Sequence, residues 1–457
     1  MENLKNQFRI IIKSKTINEM FSNITQDIIE FIAFIPIIIM TLSPLYQLIK
    51  NFFISYHYTF TINSINQIAG ILGIFLLILF IGKNIAEKRK ISELIKENKT
   101  MMFFIIFSAL MIISTVINGF NDYVFHGDRY RNESLFTYLI YFLIYFFCAS
   151  LIKNGKLKSV AIYTYISGSI VIGIFSIIHV FFTPIEQFSH YMADIERHQL
   201  TSIFMQFNHY GYYLLMAILL SSSMFILEKS RTLKILCMFS FILNVVVLII
   251  NNTFGCYLAC FLAMIFNIIV LHIKERKINK NAVFMLICFI AISCIMTLWY
   301  NTIFTNIYTF ILDILKIARN SEDAENAGTH RWKLWKYTAS YIKEKPVFGF
   351  GVEGISQRLD KDTGVDRSHN EFLQYSAFFG IPSAIIYICG VMTVFFEGLK
   401  NKSKLDIYTI TAIITAFGYL VSSFFGNTMY YTAPFLFIFL GFAFTGNNKI
   451  IKNNKGD

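Results

Sequence analysis

Residues 101–119 read M-M-F-F-I-I-F-S-A-L-M-I-I-S-T-V-I-N-G, with no charged side chain anywhere in the run. An α-helix crosses the hydrocarbon core of a bilayer with about 20 such residues, so this stretch reads as a membrane span. Further apolar runs lie near 29–49, 65–82, 135–152, 160–183, 209–228, 235–251, 255–273, 282–300, 373–396, 407–424 and 431–446, which makes twelve expected spans. Pro36 and Pro44 fall in the first of them, which is expected to kink or break there. Mostly polar residues precede that run and no small-residue cleavage site follows it, so no cleavable signal peptide is expected. The composition agrees: of 457 residues 55% are hydrophobic and only 15% charged, against about a quarter charged in soluble domains. Disorder, a collagenous repeat and an ordinary cytosolic enzyme are excluded. A formal charge of +12 would usually suggest a nucleic-acid partner, but the basic residues stand in short blocks between apolar runs, and none is expected.

Those blocks orient the chain. The two ends and the connections 83–99, 153–159, 229–234, 274–281 and 397–406 hold 26 of the 40 Lys and Arg, while the alternate short connections hold four. Because the richer set stays in the cytoplasm, both termini are expected inside. The organisation that follows is residues 1–299 with spans one to nine, an extracytoplasmic segment 300–372, and residues 373–457 with spans ten to twelve. The expected fold is therefore all-α, a polytopic bundle of about twelve transmembrane helices with one large outer helical loop. The seven cysteines all fall inside expected spans without a CxxC pair, which reads as packing residues and not as disulfides or a zinc site.

Segment 300–372 is the one long hydrophilic stretch, and loops of that length usually serve as lids or binding surfaces. It carries ten basic and ten acidic residues, a balance that argues for local patterning. Ile303, Phe304, Ile307, Phe310, Ile311, Ile314 and Leu315 share one helical face, which suits a helix lying in the membrane interface. Thr329 is the expected cap of a second helix over 331–344, which ends before Pro346. Trp332 and Trp335, one turn apart on it, read as interface anchors. G-F-G-V-E-G (349–354) follows no strand, so its glycines read as points of close backbone approach and not as a dinucleotide loop. D-R-S-H-N-E-F-L-Q-Y (366–375) comes next, directly before span ten.

Arg331-Trp332, then K-P-V-F-G-F-G-V (345–352), then S-H-N-E-F-L-Q-Y-S-A-F-F-G-I-P (368–382) resembles the signature of the O-antigen ligase and polysaccharide polymerase superfamily. Q-F-N-H-Y-G-Y-Y-L (206–214) and R-N-E-S-L-F-T-Y-L-I-Y (131–141) resemble two further motifs of that family, so the likeness runs over roughly 120–440. One departure stands out. Many members carry T-x-S-R-G where this chain has N-N-T-F-G-C-Y-L (251–258), so Phe254 occupies the place of a second arginine.

The resemblance implies an integral-membrane enzyme that moves or polymerises glycan from a polyprenyl-diphosphate-linked donor onto a hydroxyl of a glycan or lipid-linked acceptor. It implies the outer face of a bacterial cytoplasmic membrane, membrane lipids as further partners, no metal and no other cofactor. Such chemistry needs a cation at the departing diphosphate, a base at the attacking hydroxyl and an apolar path for the isoprenoid. Arginine suits the first through its planar, permanently charged fork. Arg331 is expected to bind the diphosphate, with Arg129, Arg131, Arg197, Arg358 and Arg367 as other outward cations. His369 is expected to be the base, with Asn370 capping the next helix or orienting the imidazole, and Glu371 holding the ring or pairing with an arginine. Asn208, His209 and Glu133 complete the expected substrate-binding set. Asp360 and Asp362 flank Lys361 at a metal-site spacing but read as solvated charges. A transporter or flippase of lipid-linked oligosaccharide is the alternative. It should show a repeat relating two halves and acids within the spans, and the sequence has little of either.

Overall fold

The computed structural model describes residues 7, 9–53, 59–89, 98–120, 122–127, 131–181, 193–194, 199–204, 206–300, 302–400, 405–427 and 429–444. Helix dominates them. In chain order they form α1 (Ile17–Asn23), α2 (Gln26–Phe53), α3 (Thr59–Ala86), α4 (Lys99–Asn118), α5 (Asp122–His126), α6 (Leu135–Ser150), α7 (Gly155–Phe181), α8 (Phe207–Leu227) and α9 (Arg231–Asn251). There follow α10 (Phe254–Glu275), α11 (Lys280–Met296), α12 (Thr302–Ala318), α13 (Arg331–Glu344), α14 (Ser356–Thr363), α15 (Glu371–Phe379), α16 (Ile381–Lys400), α17 (Ile407–Ser422) and α18 (Ala433–Ala443). A two-residue antiparallel ladder pairs Ala193–Asp194 with Gln199–Leu200.

Among the described residues nine helices are long and apolar enough to cross a membrane, namely α2, α3, α4, α7, α8, α9, α10, α16 and α17. The other three expected spans appear as α6, α11 and α18, of 16, 17 and 11 residues. Eleven residues at about 1.5 Å each reach roughly 17 Å, well short of an apolar core about 30 Å thick. At these three the helix is shorter than the apolar run that predicted it. Ser134 caps α6 through the amide of Thr137, and Pro434 starts α18 only after a buried, non-helical stretch. Of the kink or break expected in the first span, a break does not occur: α2 runs on through Pro36 and Pro44. All seven cysteines are free, and Cys148, Cys237, Cys256 and Cys260 are buried.

α8 forms the middle of the bundle. It packs against α7, α9, α10 and α17 and is buried along nearly its whole length, as an apolar-all-round helix must be. Polar side chains tie its neighbours together: Asn244 of α9 donates to Ser169 of α7 at 3.0 Å, and Ser221 of α8 donates to Ser240 of α9 at 2.8 Å. Such contacts lock helices where lipid offers no hydrogen-bond partner.

The tenth expected span, 373–396, is instead two helices that meet at Gly380. A helix break near a membrane is tolerated only where protein satisfies the freed backbone groups. Here Lys345–Gly351 supplies the partners. Ile381 donates to the carbonyl of Pro346 at 2.8 Å, Phe350 to Ala377 at 2.9 Å and Gly351 to Phe378 at 2.8 Å. Both sides of that seam require glycine. Gly380 has φ +89° and a Cβ there would stand 2.0 Å from the carbonyl of Val347; a Cβ on Gly349 would stand 2.5 Å from that of Phe378. The two glycine-bearing motifs, distant in sequence, are thus one backbone junction, and close approach to a neighbouring segment is what their glycines serve.

Candidate active site

Arg331 opens α13 directly after Gly328, Thr329 and His330, whose φ values are +64°, +56° and +67°. Three consecutive left-handed residues are rare, and the non-glycine ones cost about 1–2 kcal/mol each. The turn persists because its ends are held. The amide of Gly328 donates to Asp313 of α12 at 2.8 Å, His330 donates to Asn326 at 3.2 Å, and Trp332 to Ala327 at 3.3 Å. Thr329 therefore does not cap α13 as expected, because its backbone is left-handed and His330 intervenes. Its hydroxyl instead accepts from the Arg331 guanidinium at 2.9 Å, which also donates to the carbonyl of Gly328 at 3.2 Å. The Nε of Arg331 is buried without a partner, and among the described residues no ion pair reaches this side chain. Burial pulls its pKa below the ordinary guanidinium value. A half-buried cation with no counter-charge among the described residues is a site that favours an anion.

His369 lies within electrostatic reach of Arg331. Its own φ is +47°, and both neighbours are clamped. Ser368 meets Thr338 of α13 at 3.0 Å and donates its amide to Gln374 at 2.9 Å, while Asn370 caps α15 through the amides of Phe372 and Leu373 at 3.1 Å. Helix capping, one of the two expected roles for Asn370, is thus the geometry it adopts. The His369 Nδ1 is buried and makes no hydrogen bond. Burial holds the imidazole pKa down at about 3, the Arg331 and Arg131 guanidiniums press it lower, and Asp366 opposes them. The ring is neutral at physiological pH and has a free nitrogen.

A charged cluster supports the histidine from behind. Arg131 bonds Asp366 through Nε at 3.0 Å and Nη2 at 2.6 Å, which holds the Asp366 carboxyl below the usual range even though burial alone would raise it. Arg367, expected as an outward cation, is 1% exposed. Its Nη1 donates to Glu353 at 2.6 Å and to Ser356 at 2.6 Å, its Nη2 pairs with the other Glu353 oxygen, and Glu133 lies 3.9 Å away. Its two terminal nitrogens are occupied by protein while Nε is buried without a partner, so it ties the 349–354 turn to the histidine loop. Glu133 is buried too, and burial together with Glu353 raises its pKa to about 8 against the pull of Arg367. With Glu133 protonated, two arginines balance two carboxylates.

The remaining expected residues lie around this centre. His209, on the first turn of α8, lies tilted against Tyr431 at 5.1 Å, close to the backbone of Phe204 and within electrostatic reach of Arg131. Asn208 beside it is buried. Glu371 is fully buried and accepts the hydroxyl of Tyr387 at 2.8 Å. Arg358 stands apart, paired with Glu344 at the surface at 2.7 Å, and Asp362 accepts the hydroxyl of Tyr341. Arg129 and Arg197 lie outside the described residues. Phe254 packs on Phe310 at 5.7 Å, an aromatic seat for α12 with no cation in it.

Sequence reading passed over Glu353, Asp366, Asp313 and Asn427. The first two are the carboxylates that neutralise Arg367 and Arg131, and Glu353 carries a positive φ of +61°. Asn427 is buried with both side-chain polar atoms unpartnered, next to Gly426, which packs on Tyr212. No local signal marks any of these, since an acid or amide in a loop is ordinarily solvated.

No curated protein matches the chain. Residues 239–388 match a family model described as O-antigen ligase. That stretch runs from within α9 to within α16 and contains Arg331, Glu353, Asp366, Arg367 and His369, while Arg131, Glu133, Asn208 and His209 precede it. The match, on a chain with nine apolar helices of spanning length among its described residues, supports placing it as a multi-pass membrane protein of the O-antigen ligase and polymerase superfamily, whose members transfer glycans.

Proposed function

We propose that the protein transfers or polymerises glycan from a polyprenyl-diphosphate-linked donor onto a hydroxyl of a glycan or lipid-linked acceptor, at the outer face of a bacterial cytoplasmic membrane. The observation that supports this reading is Arg331: a half-buried guanidinium, its Nε buried and unpartnered and no carboxylate paired with it among the described residues, that weighs electrostatically on a neutral His369. The acceptor oxygen attacks the anomeric carbon, the bond from that carbon to the diphosphate oxygen breaks, and the configuration inverts. The hydroxyl proton passes to a ring nitrogen of His369, and the departing diphosphate is held on Arg331. Arg131, already within reach of His369, is the second cation that Phe254 does not supply. Guanidinium charge meets the developing anion, so the reading assigns no metal.

The same geometry explains how a histidine with so low a pKa acts as a base. A diphosphate bound at Arg331 cancels part of the positive field on the ring, so the donor itself raises His369 toward its ordinary value. Asn208, His209 and Asn427, at the outer mouth of α8, offer uncharged hydrogen-bonding groups to sugar hydroxyls. The outward position of 300–372 and the cytoplasmic termini belong to this proposal. The test is transfer in vesicles with a purified lipid-linked donor. His369→Ala should lower turnover by about 10²-fold or more, the range of a positioned base, and Arg331→Lys should lower it through loss of the planar fork. Near-parental turnover in both folded variants would overturn the roles of His369 as base and Arg331 as diphosphate ligand.

A further inference from the structure

α12 has two unlike sides. Phe304, Tyr308, Ile311 and Leu315 recur at helical spacing and form one stripe, with Phe304 56% and Tyr308 64% exposed. The opposite side is docked: Asn306 donates to Asn252 at 2.8 Å, Phe310 packs on Phe254 and on Phe425 at 6.4 Å, and Asp313 accepts the amide of Gly328. Phe254 is the first residue of α10, and Phe425 lies just beyond the end of α17. α12 therefore lies across the ends of two spanning helices, at the level where the apolar core gives way to headgroups. Exposed Leu298 and Trp299 join its stripe to the outward apolar face of α11, so one apolar surface continues from helix to helix.

Resting on the function proposed above, we infer that α12 is seated in the outer leaflet of the bilayer and that its buried Asp313 is a positioning residue for Arg331. The connection is short. Asp313 holds Gly328, Gly328 begins the left-handed turn, and the turn delivers Arg331 three residues later. Without the acceptor on α12, the Gly328 amide loses its partner and the strained turn loses the contact that ties it to the lipid-borne helix. Asp313 touches neither donor nor acceptor; it acts through where Arg331 stands. The apolar stripe fits the leaflet through which an isoprenoid donor must arrive, so the bilayer that supplies the substrate also seats the element that aims its cation.

The full chain in phosphatidylethanolamine–phosphatidylglycerol vesicles tests both halves. Misplacement of a catalytic group by 1 Å can lower rate by about 10²-fold, so Asp313→Ala should lower kcat by at least about 10-fold with donor KM nearly unchanged. Asp313→Asn, whose amide oxygen still accepts the Gly328 amide, should restore kcat to within about 3-fold of the parent; a merely structural role predicts no such split. Should the alanine variant fail to fold, Asp313→Ser also withdraws the acceptor and gives the same comparison. A nitroxide on Ile311→Cys, in a Cys294→Ser background, should be more accessible to oxygen than to a water-soluble nickel relaxant. Parental kcat in Asp313→Ala, or nickel accessibility typical of a water-exposed site, overturns this inference. Arg331→Ala separates the two ideas: if it is inactive while Asp313→Ala is normal, only the positioning role fails, and if it is fully active the proposed function itself fails.

Discussion

Replacing Glu133 by Gln should stabilise the protein, and increasingly so as pH rises. Glu133 is 2% exposed, and its pKa stands at about 8 where an ordinary glutamate has 4.5. A carboxyl whose folded pKa is raised binds its proton more tightly in the folded state, so stability is complete below the unfolded pKa and falls as pH climbs toward the folded one. The window runs from 4.5 to about 8. At about 1.4 kcal/mol per unit, going from pH 6 to pH 8.5 should remove on the order of 3 kcal/mol from the parent through this group alone. Glutamine has the shape of the protonated acid and no proton to lose, so the variant escapes that loss. Thermal midpoints from intrinsic tryptophan fluorescence, taken at pH 6, 7 and 8.5, should show the variant higher throughout and the gap widening as pH rises, because pH 6 already lies above the unfolded value of 4.5. Parallel profiles, or a variant less stable by the same margin throughout, would refute the reasoning. That result would mean Glu133 is already ionised beside Arg367.

Three further outcomes follow from the site. The pH dependence of kcat/KM, which reports free enzyme, should show no limb from His369 between pH 5 and 8, because its pKa is about 3 there. The kcat profile, which reports the donor complex, should gain an acidic limb nearer the ordinary histidine value, and the same limb in both profiles would contradict donor-linked activation. Arg367→Met should destabilise by about 3–5 kcal/mol, since it leaves Glu353 buried without its cation; denaturant unfolding of the detergent-solubilised protein measures this. Asn427→Ala should leave the thermal midpoint nearly unchanged, because the amide bonds nothing among the described residues, yet raise KM for a glycan acceptor. An unchanged KM removes Asn427 from the substrate side.

Family resemblance was legible because its motifs are local in sequence, and the match over 239–388 contains Arg331, 345–352 and 368–382 but not the motifs at 131–141 and 206–214. Membrane spanning was legible for a similar reason, since transfer of a run of side chains into hydrocarbon depends on composition and length. Three of the twelve expected spans nevertheless form helices of 17 residues or fewer, because hydropathy reports burial in apolar surroundings and not where a helix starts and stops. The site was legible only in outline. Arg331 and Arg367 look alike as sequence, each an arginine in a polar loop, yet one is half-buried with no ionic partner among the described residues and the other is enclosed by carboxylates from other segments.

What the sequence by itself determined is the medium this chain inhabits, the helical class that medium demands and the residue types on offer for chemistry. The tertiary structure alone decided which charge stays uncompensated, which histidine nitrogen stays free and which acid holds its proton. Those properties depend on burial and on partners brought from far along the chain. Arg131 meets Asp366, Gly380 meets Val347 and Asp313 meets Gly328 only once the helices have packed.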